Sequence, residues 1–321
     1  MDALRAQDLL RHITQDEDYG IAMMEKLPLD EAIEVTEDLL NVCIKQADEK
    51  KNANDAAFFS DMKKAFRPLV LNKIRNAEHL WIVYTDVTGY PYSVDRDMLV
   101  IYEYSQAKEI TDRLNEQGYM ISLSLVAPEQ FVNEVSHMYR NGYQNVRFVN
   151  AGKTPFIASR EELYPYDDLI KEDYITNPAL SQSMIELFQE TRKDSKIESE
   201  AASEAFKEML QKREQEFITA VKNAEYMVPC IKNENGDEVE ISFQYIDITE
   251  RVGGSEDNPV IAIPAFTDGF EMDKCYPGQY ENMLCTFDEL LSTIRELGAS
   301  GMIINALGIS QYMDVETLSQ I

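Results

Sequence analysis

Asp61–Tyr84 reads DMKKAFRPLVLNKIRNAEHLWIVY, and Glu208–Ile231 reads EMLQKREQEFITAVKNAEYMVPCI. In the first, Met62, Phe66, Leu69, Val70 and Ile74 recur at helical spacing; in the second, Phe206 (just upstream), Met209, Leu210, Phe217 and Val221 do the same. Each amphipathic helix runs into the tripeptide Asn-Ala-Glu, at Asn76–Glu78 and at Asn223–Glu225. An apolar strand follows in both places, Leu80–Tyr84 and Tyr226–Ile231. The same local packing problem is posed twice along one chain, and self-similarity of this kind takes precedence over any other reading of a fold.

The order of elements continues in parallel outward from these stretches. MLVIYEYS (Met98–Ser105) and PVIAIPAFT (Pro259–Thr267) read as β-rich segments. A second amphipathic helix comes next. In the first copy Pro128 sits in its first turn, with Phe131, Val135 and Met138 inward; in the second, Thr286 and Glu289 form a capping box ahead of Phe287, Leu290, Leu291, Ile294 and Leu297, and Gly298 is placed to end it. Each helix leads to a short strand and a turn, VRFVNAG (Val146–Gly152) and MIINALG (Met302–Gly308). Helical segments precede both units: LDEAIEVTEDLLNVCIKQ at Leu29–Gln46, and NPALSQSMIELFQET at Asn177–Thr191, where Asn177 reads as an N-cap and Pro178 as first-turn proline. The polar tracts ADEKKNANDAA and RKDSKIESEAASEA suit solvated turns or exposed helix, and ERVGGSEDN (Glu250–Asn258) reads as a surface hairpin connection.

The fold class expected is therefore α+β (mixed α/β), in two tandem repeats, each a small mixed sheet packed by amphipathic helices. The first repeat is placed at 1–168 (helical lead 1–75, core 76–165) and the second at 169–321 (lead 175–222, core 223–321), with the boundary near Pro165–Tyr174. A chain of 321 residues fits two domains.

Composition narrows the function classes. Hydrophobic content of 44% and charged content of 27% are those of a globular protein. With 30 Lys and Arg against 58 Asp and Glu, the formal charge is −28, which repels nucleic-acid phosphates and anionic membrane surfaces; it is read first as serving solubility, and it leaves open a protein with a basic surface, or a cation, as partner. The opening MDALRAQDLLRHITQDEDYG lacks a basic leader and an unbroken apolar run, and no apolar run reaches the ~20 residues a bilayer requires. Cys43, Cys230, Cys275 and Cys285 form no C-x-x-C pair and read as reduced and mostly buried, so the expected compartment is the cytoplasm.

At PAFTDGFEMDK, TFDELLSTIRELG and MIINALG the second repeat resembles the N-terminal domain of the SseB (enhanced serine sensitivity) family of bacteria. NPALSQSMIELF and the Val-Pro strand of YMVPCI resemble the same domain, so the likeness covers roughly Asn177–Asp314; Ala306 and Leu307 stand where the family often carries proline. It reaches the first half only through the internal repeat, because EYSQAKEI replaces the Phe-Thr-Asp segment there. The resemblance implies a small α/β module used for binding or regulation. It carries over no catalytic residue, and Pro264, Phe266 and Thr267 look structural.

Chemistry-bearing clusters are few. His12, His79 and His137 lie far apart, and no P-loop, G-x-G-x-x-G, G-x-S-x-G or H-E-x-x-H motif occurs, so no cofactor, metal site or catalytic residue is assigned. Asp268, Glu271 and Asp273 put three carboxylates within six residues; as a binding cluster they suit a basic ligand, and as local structure they suit the start of a helix. Asn150 and Asn305 end strands read as equivalent, where asparagine serves a left-handed turn or a ligand. Tyr104 belongs to a tyrosine cluster with Tyr84, Tyr90, Tyr92 and Tyr102. The alternation Tyr102-Glu103-Tyr104 reads as one sheet face with aromatic cover, taken as core, or as an interaction surface if exposed. Two functions are expected from this: a non-enzymatic binding or regulatory protein with an acidic surface for a protein or small-ligand partner, or a hydrolase or transferase with a carboxylate/tyrosine site between the repeats.

Overall fold

The structure, a computed structural model, describes residues 3–14, 17–165, 175–193, 204–235, 238–255, 257–278 and 281–321. The chain is mixed α+β. In its first half, helices α1 (Ala3–Ile13), α2 (Glu17–Lys26), α3 (Leu29–Glu34), α4 (Leu40–Glu49) and α5 (Ala53–Arg75) precede strands β1 (Leu80–Thr85), β2 (Tyr90–Pro91), β3 (Ser93–Val94) and β4 (Asp97–Ile101). Then come α6 (Tyr104–Glu116), β5 (Ile121–Val126), α7 (Pro128–Asn141), β6 (Asn145–Val149), β7 (Phe156–Ser159) and α8 (Arg160–Leu163). The second half consists of α9 (Pro178–Thr191), α10 (Glu204–Asn223), β8 (Glu225–Asn235), β9 (Glu238–Phe243), β10 (Ile246–Asp247), β11 (Ile261–Ala265), α11 (Gly269–Cys275), β12 (Glu281–Thr286), α12 (Phe287–Leu297), β13 (Gly301–Ile304), β14 (Gln311–Asp314) and α13 (Val315–Leu318).

The strand-pairing scheme recurs. In the first half β1 is flanked by antiparallel β5 and β4, β4 pairs in parallel with β6, and β6 pairs antiparallel with β7. In the second, β8 pairs antiparallel with β12 and touches β11 through the bridge Met227–Phe266, β11 pairs in parallel with β13, and β13 pairs antiparallel with β14. Registers correspond as well: Trp81 faces Ile101 and Leu125, as Met227 faces Phe266 and Leu284. Even the short β2 and β3 have counterparts in β9 and β10, on the same neighbours.

Local chemistry explains the matched boundaries. α7 opens on Pro128 and closes on Gly142 at φ +78°; α12 opens on the Thr286–Glu289 capping box and closes on Gly298 at φ +68°. The residue after each glycine donates to a carbonyl in the last turn, Tyr143 to Met138 and Ala299 to Ile294. At the far end, Ser159 and Asp314 cap α8 and α13 by accepting from the Glu162 and Thr317 amides.

One hydrophobic core runs through both halves. The inner faces of the first half's seven-stranded sheet and of the second half's three-stranded (β12-β8-β9) and four-stranded (β10-β11-β13-β14) sheets supply Leu80, Ile82, Val100 and Phe148, and Tyr226, Val228, Ile263 and Met302, with Phe66 and Val70 of α5 and Phe217 and Val221 of α10 above them. α9 joins them. Its residues from Leu180 to Glu190 are all buried, polar ones included, so the segment read as an ordinary lead helix is buried on every side. The outer face of the first sheet is covered separately, by Ala107, Ile110 and Leu114 of α6 on Val83, Leu99 and Ile101.

Several expectations need correction. The strand read through Ser105 stops at Ile101, and Tyr104 opens α6, so the alternation Tyr102-Glu103-Tyr104 does not describe a sheet face. α6, β5 and β12 were not anticipated. The Leu29–Gln46 helix is broken by a π-helical segment at Val35–Leu39, and Lys51, at φ +56°, turns the chain between α4 and α5. The proposed boundary falls mainly on 166–174, outside the described residues, as does most of the second polar tract.

Candidate functional site at the junction of the halves

The β11–α11 turn and the loop after β13 meet in a buried polar network. Asp268 is the N-cap of α11, its Oδ1 accepting from the Glu271 amide at 3.0 Å, and Thr267 Oγ1 donates to Asp268 Oδ2 at 2.9 Å. Asn305, in the left-handed region at φ +48°, accepts from the Thr267 amide at 3.0 Å and donates through Nδ2 to Thr267 Oγ1 at 2.9 Å. Asp268 and Glu271 are 1% and 2% exposed. Gly308 lies against Glu271: a Cβ there would come 2.3 Å from Oε2, so a larger residue would displace the buried carboxylate.

The first half completes the network. Tyr90 donates to Glu271 Oε1, which also receives Lys274 Nζ at 2.5 Å, while Glu271 Oε2 is buried with no hydrogen-bond partner. The Arg140 guanidinium lies over the Phe270 ring at 3.9 Å, and His137 packs against the same ring at 5.9 Å. Burial raises the Asp268 carboxyl above its ordinary range, against the opposing Glu271 amide and Arg140 charge. Burial, with the neighbouring Arg140 charge, pushes His137 down to about 4. The Tyr90 phenol is raised by burial and then by Glu271.

A second polar seam lies along α9. Gln189 Oε1 accepts from the Ser93 amide at 2.9 Å and its Nε2 donates to the Ser93 carbonyl at 3.0 Å, while Gln182 Nε2 donates to Ser93 Oγ at 2.8 Å. Glu186 accepts from Ser93 Oγ and the Arg96 amide and pairs with Arg213 at 3.0 Å; Tyr119 donates to Glu190. Asn177 does not cap α9 with its side chain. Its Nδ2 donates to the carbonyls of Glu225 and Thr267 and its Oδ1 accepts from the Glu225 amide, tying the helix start to β8 and to the Asp268 turn.

Of the residues singled out in the sequence, Asp268, Glu271 and Asn305 are thus brought together. Asp273 is exposed and stands apart from them. Asn150 is in the first half, donating to Glu103 Oε2 at 2.5 Å beside a 190 Å³ cavity that also borders Glu34 and Lys153. It does not occupy the place of Asn305: with Gly142 matched to Gly298, and β6 to β13, Asn305 corresponds to Val149. Tyr104 is 70% exposed, its ring packed at a tilt beside that of Trp81. Sequence reasoning named Tyr90 only within the tyrosine cluster and passed over Arg140 and Phe270; Tyr90 meets Glu271, and Arg140 meets Phe270, only across the junction. The polar residues of SQSMIELFQE were the visible signal that α9 docks on a polar seam.

A cleft of 910 Å³ opens next to the network on the outer face of the second half's four-stranded sheet, where α11, at 7 residues, is shorter than the 13-residue α6. Ile246, Ile248 and Ile303 line its floor, Cys275 and Leu307 one wall, and Asp247 and Glu250 its rim. A 620 Å³ groove runs between α9 and α10. Among the described residues no group of three or more His, Cys, Asp or Glu side chains converges as a metal site, and no helix is long and apolar enough to cross a membrane. No family model, curated protein or solved structure matches the chain.

Proposed function

We propose that this protein is a non-enzymatic binding or regulatory protein, two copies of one SseB-like module fused through α9, which presents an acidic surface to a basic protein partner. One observation carries this reading: Glu271 and Tyr90, the groups best suited to acid–base work, bond each other across the junction, and none of the clefts described above is lined by Asp268 or Glu271. Their polar capacity holds the two halves in place, and the charge of −28 is left to the surface. The recurrence of strand registers supports duplication, and the placement of Pro264, Phe266 and Thr267 within the sheet and its network supports their structural role.

The test is capture on the immobilised full chain followed by a salt gradient. Retained proteins should be basic and should elute well before roughly 1 M salt, where the Debye length falls to about 3 Å. Recovery of no partner, with no charge-dependent retention, would remove the proposal. The catalytic alternative draws on the fact that Asp268, Glu271 and Tyr90 do meet between the halves. Alanine at Asp268 and Glu271 with no change in a detected turnover would eliminate it.

A further inference from the structure

The first half carries on its outer face a feature that the second lacks. Trp81, the chain's one tryptophan, stands in β1 between Ile101 and Leu125, and Tyr104 at the start of α6 folds onto it, the ring centroids 5.4 Å apart and tilted by 36°. His79 lies 6.3 Å from the Trp81 ring on another side. Tyr104 is 70% and Leu125 53% exposed, while Trp81 is half-buried. In the second half the corresponding place is filled differently: Met227 replaces Trp81 and is buried with Phe266 and Met272. Tryptophan and tyrosine beside an exposed leucine is the composition of an interface anchor, and exposed apolar side chains grouped in this way mark a contact site.

The chain's own packing indicates the chemistry that such rings take. Cations lie over rings throughout: arginine at Arg67–Phe156 (4.8 Å), Arg140–Phe270 (3.9 Å), Arg160–Tyr139 (5.3 Å) and Arg192–Phe188 (4.1 Å), and lysine at Lys193–Tyr119 (5.0 Å), Lys193–Phe206 (4.6 Å), Lys274–Tyr90 (5.5 Å) and Lys274–Phe270 (4.8 Å). Among the described residues no cation lies over Trp81 or Tyr104. Either cation is attracted to such rings, and on the exposed Tyr104 ring beside Trp81 a planar, weakly hydrated guanidinium adds a stacking contact that a compact, strongly hydrated ammonium does not. A chain of charge −28 draws such a cation in from a distance.

We propose that the Trp81–Tyr104–Leu125 patch binds an arginine-bearing basic segment of a partner protein, the guanidinium seated on the two rings. This rests on the reading of the protein as a binder of basic partners and specifies where and through which side chain that binding occurs.

The single tryptophan makes the test direct. The full-length protein is titrated with oligoarginine at low salt, with oligolysine and oligoglutamate of equal length as controls, while Trp81 emission and calorimetric heat are followed in parallel. Oligoarginine should change Trp81 emission saturably. Tyr104→Ala should weaken that binding about tenfold, in the range of one cation–π contact at a partly desolvated site, and Tyr104→Phe should preserve it. Tyr104 is exposed, so both variants should keep the parent's circular dichroism. Heat without any change in Trp81 emission, or an unaltered affinity in Tyr104→Ala, would overturn the patch and leave the broader reading intact. Equal responses to lysine and arginine would overturn the guanidinium assignment. Absence of both heat and emission change would overturn the patch and the basic-partner reading together.

Discussion

Tyr90 of the first half donates its phenolic proton to Glu271 of the second, at a point where the carboxylate is 2% exposed. The bond connects the short β2 strand to α11, two elements with no sequence neighbourhood in common. Among the described residues the partners of Glu271 Oε1 are Tyr90 and Lys274, which lie on opposite sides of the junction.

Tyr90→Phe should therefore cost more than an average surface substitution. It removes one donor from a buried carboxylate while keeping the ring, and leaving a charged group under-satisfied costs about 1–3 kcal/mol. Chemical denaturation of the variant, compared with Glu271→Ala and with the double variant, should show strong non-additivity, because both changes remove the same hydrogen bond. Additive losses would mean that the two side chains do not act as a pair.

His137 gives the junction a pH dependence of defined sign. Its folded pKa of about 4 lies below the ordinary ~6.5, so the native state binds this proton less readily than the unfolded chain. Its contribution is complete above about pH 6.5 and is lost as pH falls toward 4, with a slope of at most ~1.4 kcal/mol per pH unit. His137→Gln should flatten the parent's stability profile within that window. An unchanged slope, measured by urea unfolding at a series of pH values, would contradict the burial of the imidazole beside Arg140.

The two αL glycines that end α7 and α12 should respond unequally to alanine. Gly298 has open space around it, so Gly298→Ala should cost about 1 kcal/mol, the strain of the left-handed backbone alone. A Cβ on Gly142 would come 2.2 Å from the Pro178 carbonyl oxygen and 2.6 Å from the Gln182 side chain, both on α9. Gly142→Ala should cost roughly 3 kcal/mol or more, since backbone must move to relieve the overlap. Equal losses in thermal unfolding would show that α9 does not press on the end of α7.

Much of the fold was readable in the chain. Helical periodicity located α5, α7, α10 and α12, and the residues that start and stop the last of these, Thr286, Glu289 and Gly298, act as their chemistry prescribes. Asp268 likewise caps α11, the local role that its position before a helix suggested. α6 escaped notice because YSQAKEITDRLNE follows directly on an apolar strand whose tyrosines extend the β pattern past its real end. The equivalence of Asn150 and Asn305 failed because identical letters in similar strings do not fix register; the turn glycines and ladder partners do.

The sequence by itself determined that the chain is mixed α+β, that it is strongly acidic, and where most helices begin and end. These properties depend on side-chain periodicity and capping, which act over a few residues. Only the tertiary structure decided that α9 is buried on all sides, that Tyr90 meets Glu271, and that Trp81 and Tyr104 share an exposed face. Each of those facts depends on contacts between residues distant along the chain, and such contacts are set by how the three sheets and their helices pack around a common core.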